Sequence, residues 1–133
     1  MKTALIGFLL IVLITSQTSS STFTLSFSYA ARSNVPFDSS QIEVLWNDNI
    51  ISSVLPNDYL LHTVTLQITA SRGQNVLEFA AAGLSDGLGA DIGNIQLIRQ
   101  GTTNNLVVNG NFASPNQNGG WGIHNGINGW TGL

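Results

Sequence analysis

Residues 22–31 alternate without a break: Phe23, Leu25, Phe27 and Tyr29 share one parity, and Thr22, Thr24, Ser26 and Ser28 the other. A period of two, with aromatic and aliphatic side chains on one side and hydroxyls on the other, predicts a strand with one face buried. Residues 41–46 repeat the pattern with Ile42, Val44 and Trp46 in phase. Asn47, Asp48 and Asn49 follow as a tight-turn cluster, because Asn and Asp tolerate positive φ. Residues 50–54 are then expected to return as the hairpin partner. Beyond the break at Pro56, Asn57 and Asp58, residues 62–69 set His62, Val64, Leu66 and Ile68 against Thr63, Thr65, Gln67 and Thr69. Leu77, Phe79 and Ala81 alternate after the turn at residues 72–74, and Ile95 and Leu97 are in phase within residues 91–99. Residues 106–108 read as one more short apolar strand. Strands separated by short turns, with no helical period, predict an all-β protein built as an antiparallel β-sandwich.

The beginning of the chain breaks this rhythm. Lys2 precedes an apolar run of about 11 residues, and a small polar stretch, residues 15–21, follows it. One positive charge, a short apolar core and a small-residue exit make the pattern of a secretory signal peptide, assigned to residues 1–20. The run falls short of the roughly 20 residues that cross a bilayer, so no stable span is expected after its removal. The expected location is extracellular.

Composition narrows the function classes. The chain of 133 residues holds one domain, is 43% hydrophobic and only 8% charged, and carries a net charge of −3. Loss of Lys2 leaves Arg32, Arg72 and Arg99 against seven acids, a net charge of −4. Nucleic-acid binding needs clustered cations and is excluded. Cysteine is absent, so no disulfide scaffold or thiolate metal site exists. Catalysis finds little support. Glu43 and Glu78 are the two glutamates, both at outward strand positions, and the many serines have no paired base. No enzyme is expected.

After residue 100 the chain turns rich in Asn and Gly, with Trp121 and Trp130 set among them. Aromatic rings beside amide side chains are the usual platform for a sugar: the ring stacks on the apolar face of a pyranose and the amides take its hydroxyls. Trp121, Trp130, Asn125, His124, Tyr59 and Trp46 are the candidates. The alternative for each tryptophan is packing, and the phase of Trp46 with Ile42 and Val44 favours the core. Arg32 is read as one half of a structural ion pair. His62 is read as a hydrogen-bonded interior or edge residue.

Two stretches carry a resemblance. Residues 106–112, reading Leu-Val-Val-Asn-Gly-Asn-Phe, with Pro115 and the Gly129-Trp130 pair, resemble the opening of galactose-binding-like jelly-roll modules. Residues 24–32, with the Gly-Leu-Ser-Asp-Gly-Leu-Gly-Ala run from Gly83 and Asn94 to Leu97 in β-strand phase, resemble the closing half. The nearest named family is the plant cell-wall family of unknown function 642 with its bacterial and protist relatives. The resemblance implies a jelly-roll sandwich, incomplete or permuted, because the closing half, residues 21–100, comes first, and residues 101–133 resemble either the opening of a next module in a tandem array or a permuted first strand of the same one. It also implies a secreted, non-catalytic carbohydrate-binding module, whose partner is a glycan or an extracellular, cell-wall polysaccharide. The alternative is a structural or adhesive repeat that assembles by strand exchange between copies, with self-association through the C-terminal segment. Related modules often hold a structural Ca²⁺, for which Asp86 and Asp91 are the candidate ligands here. Two departures weigh against that metal: Ala113 stands where the family has Glu, and Gly93 where it often has Asp.

Overall fold

A computed structural model describes residues 2–3, 8–14, 21–84, 88–116, 118 and 126–132. Among them lie ten strands: β1 (Lys2–Thr3), β2 (Phe8–Ile14), β3 (Ser21–Ala30), β4 (Ile42–Trp46), β5 (Asn49–Val54), β6 (His62–Ala70), β7 (Gly73–Ala81), β8 (Asp91–Arg99), β9 (Gly126–Ile127) and β10 (Trp130–Gly132). They form two antiparallel sheets. The four-stranded sheet runs β1-β8-β3-β6, and the six-stranded sheet runs β5-β4-β7-β2-β10-β9. The protein is an all-β sandwich, as its periodicity requires.

The alternation becomes burial. Phe23, Leu25 and Phe27 of β3 are buried, and meet Val44, Leu77 and Phe79 of the opposite sheet in one core. The β4–β5 hairpin closes through Asn47 and Asp48 at φ 50° and 65°, both left-handed, the geometry whose twist matches that of paired strands. Asn47 also ties this hairpin to the next one. Its Nδ2 donates to Asn75 Oδ1 at 3.0 Å, and its Oδ1 accepts from the Val76 N–H at 2.8 Å. Asn75 is buried and donates in turn to the carbonyls of Ser71 and Gly73, so its amide is satisfied inside the sandwich.

Two features differ from the sequence reading, and a third segment is placed in a sheet. Residues 106–108 do not form a strand. The side chain of Asn105 takes the place of a ladder, accepting from both Leu97 N–H (2.9 Å) and Val107 N–H (3.0 Å), and one isolated bridge joins Ile98 to Asn105. Arg32 has no carboxylate partner among the described residues, where the single ion pair is His62 with Asp58. The segment Phe8–Ile14, read as part of a leader, lies in the six-stranded sheet, paired with β7 over seven residues and with β10 on its other side.

The Asn/Gly-rich tail packs on the same sandwich. Val107, Phe112 and Trp130 are buried in the common core, and Trp130 lies against Phe79 and Phe112 with ring centroids 6.0 and 5.4 Å away. Leu106 and Gly110 thus hydrogen-bond to β8 of one sheet, and β10 belongs to the other.

Candidate functional site

The tail and β8 together make an open depression of about 420 Å³, lined by Asn94, Ile95, Gln96, Asn105, Asn109, Gly110 and Asn111. Two backbone hydrogen bonds set its walls: Leu106 N–H to Leu97 O at 2.9 Å and Ile95 N–H to Gly110 O at 3.0 Å. Alternation along β8 buries Ile95 and Leu97 and turns Asn94 and Gln96 outward.

The amides divide by what they already hold. Asn105 is committed to the backbone at Leu97 and Val107. Asn109 donates to Ser114 O and Asn128 O and accepts from Ser114 N–H, pinning the tail. Asn94, at φ 51°, reaches Ser28 Oγ at 3.5 Å, and Asn111 accepts from Ala113 N–H. Gln96 is exposed, and its side chain has no partner among the described residues. No lining residue is ionisable. The site therefore offers neutral groups that both donate and accept, the two functions a hydroxyl needs.

The sugar platform expected from the tryptophans is corrected where they are described. Trp46 is buried, and its Nε1 donates to Thr69 O at 3.0 Å. Trp130 is buried as well, with Nε1 on Val108 O at 3.0 Å. Each ring fills core volume and spends its one polar atom on a backbone carbonyl, so neither presents a face for stacking. Tyr59 is exposed; its ring packs on Phe37 at 4.8 Å and its hydroxyl donates to Val35 O at 3.4 Å. It lies on the 55–61 loop and is not among the residues lining the depression. Trp121, His124, Asn125 and Asp86 lie outside the described residues. Asp91 opens β8, in register with Thr3 and Ala30.

His62, expected as a hydrogen-bonded interior or edge residue, opens the edge strand β6. Its Nε2 lies 2.7 Å from Asp58 Oδ1, and its ring stacks on Tyr29 at 5.4 Å. The His62 hydrogen bond, followed by that of Leu60 N–H, holds the Asp58 carboxyl below its ordinary range. A lowered carboxylate value favours the fold above the ordinary range and loses that contribution as acid protonates it. An NMR titration is expected to place the Asp58 midpoint below 3.8 in the native protein and to return it toward 3.8 in His62→Ala. An unchanged midpoint in the variant would assign the shift to the backbone alone.

Sequence reasoning missed the amide depression because its walls lie in two segments that only the fold brings together. The available signal was the parity of Asn94 and Gln96 on β8, combined with the amide density of residues 105–111.

Comparison with known proteins adds a partial likeness. The chain is 33% identical over 82 residues, 62% of its length, to a multifunctional-autoprocessing repeats-in-toxin protein of Vibrio vulnificus. It is 34% identical over 70 residues, 53% of its length, to the protein so described from Vibrio cholerae serotype O1. No family model and no solved structure matches it. Its similarity is thus to short stretches of these repeats-in-toxin proteins, and it spans 2% of their length.

Proposed function

We propose that this chain is an extracellular, non-catalytic carbohydrate-binding module whose site is the amide-lined depression beside β8. The observation that carries this reading is the uncharged, donor-and-acceptor lining of that depression, with Gln96 uncommitted to any described protein partner. Neutral sugars present hydroxyls that need both functions at once. The leader-like start of the chain supports export, and the partial likeness to repeats-in-toxin proteins supports an extracellular repeat-type module. Among the described residues no helix is long and apolar enough to cross a membrane.

Calorimetric titration with a panel of neutral disaccharides tests the reading. At least one is expected to bind. Gln96→Ala is expected to weaken that binding about fivefold, the equivalent of one hydrogen bond worth about 1 kcal/mol, with no change in the unfolding midpoint. Silence across the panel would sink the proposal.

A second reading has its own support. β2 sits inside a sheet, between β7 and β10, and its apolar run also has the composition expected of an export signal. Withdrawal of that strand opens a slot that the same strand of a second copy fits. Under this adhesive reading, mass by light scattering rises with concentration. A chain that stays monomeric throughout rules the reading out.

A further inference from the structure

The outward face of the four-stranded sheet carries no ionisable side chain over residues 22–28, 63–69 and 94–98. Its rows follow from the registers. Ser26 stands between Thr65 of β6 and Gln96 of β8, and Thr24 between Gln67 and Ile98. Thr22 is opposite Thr69, and Ser28 opposite Thr63. Side chains bond across the strands: Gln67 Nε2 donates to Thr24 Oγ1 at 2.9 Å, and the hydroxyls of Ser28 and Thr63 lie 3.3 Å apart. On β6, Thr63, Thr65, Gln67 and Thr69 are all exposed. An edge strand facing water usually carries charges that discourage unwanted partners, and β6 carries none along this stretch.

This face is continuous with the depression, because Asn94 and Gln96 belong to both. Apart from the apolar Ile98 and the buried Ser28, hydroxyl and amide groups therefore recur at the strand spacing of about 4.8 Å across the sheet and about 6.7 Å along each strand. Resting on the carbohydrate reading above, we propose that the depression is one end of a longer binding surface. An extended neutral polysaccharide lies from Asn94 and Gln96 across β3 to the exposed threonines of β6. The absence of charge selects against uronic-acid polymers, which gain nothing from neutral amides, and favours uncharged chains whose successive sugars meet successive strands. Small hydroxyl side chains suit this role: they give up little rotamer freedom when a ligand fixes them.

The test compares chain lengths on the full protein. Disaccharides and hexasaccharides of the cello, xylo, manno and galacto series are titrated against the native protein, Thr65→Lys and the pair Thr63→Ala with Thr69→Ala. For at least one series, the hexasaccharide is expected to bind the native protein at least tenfold more tightly than the disaccharide. Thr65→Lys and the alanine pair are expected to erase that advantage and to leave disaccharide binding within twofold. All three positions are exposed, so an unchanged dichroism spectrum and unfolding midpoint are expected. Equal affinity for both lengths, or a hexasaccharide advantage that survives Thr65→Lys, overturns the extended surface while the depression keeps its role. Binding of neither length overturns both. A sugar-independent doubling of mass that Thr65→Lys abolishes also overturns the proposal, because the face would then join two copies of the chain.

Discussion

Phe27→Ala is expected to lower the unfolding free energy by about 3–5 kcal/mol, a large part of the 5–15 kcal/mol that holds an ordinary domain together. Phe27 is fully buried at the middle of β3, which is itself the strand between β6 and β8. Its ring meets Phe79 of the opposite sheet edge-on, with centroids 5.2 Å apart, so truncation empties the contact between the two layers. Neighbouring rings cannot close the gap without leaving their rotamers, and the cavity adds to the lost transfer energy. Urea unfolding followed by tryptophan emission measures the loss. Ser26→Ala, one position along on the outward face, is the control and is expected to stay within about 0.5 kcal/mol. A Phe27→Ala protein within 1 kcal/mol of the native one would displace that ring from the centre of the core.

Much of this architecture is legible in the chain because alternation is a local property. Phe23, Leu25 and Phe27 announce their face without reference to any partner, and Asn47 with Asp48 announces the hairpin by what left-handed backbone permits. The unread parts depend on partners distant in sequence. Phe8–Ile14 has no period at all, being apolar at every position, so it matches an export signal and a sheet-interior strand equally well. Residues 106–108 look like a strand until Asn105 is seen to satisfy two backbone N–H groups with one side-chain oxygen. Trp130 among glycines and asparagines reads equally as a sugar platform or as loop packing. Its burial requires knowing that Phe79, some fifty residues earlier, and Phe112 converge on it. The amide site fails to announce itself for the same reason: Gln96 and Asn111 each read as ordinary surface until β8 and the tail are hydrogen-bonded together.

The point where fold and site depend on one residue is Gly110. A methyl group there would fall well inside contact distance of the Ile95 carbonyl oxygen, with the Ile95 carbonyl carbon and Val107 Cγ1 each at 3.1 Å. The obstacle is backbone, which cannot swing aside as a long side chain does. Gly110→Ala must therefore push the tail away from β8 and break the Ile95 N–H to Gly110 O hydrogen bond. Overpacking of this kind costs about 1–3 kcal/mol, and the lost hydrogen bond about 1 more, for an expected destabilisation of about 2–4 kcal/mol. Because Asn109 and Asn111 flank the displaced residue and both line the depression, the carbohydrate reading proposed above expects sugar affinity to fall more than tenfold in protein that is still folded. Gly101→Ala separates the two causes. Gly101 has φ 83° and nothing within 4 Å of an added methyl, so its substitution strains the backbone without crowding anything. It is expected to cost about 1 kcal/mol and to leave sugar binding intact. Urea unfolding and calorimetry on both variants decide the matter. Equal losses of affinity at the two glycines would mean that general loosening of the tail, and not the close approach at Gly110, shapes the site.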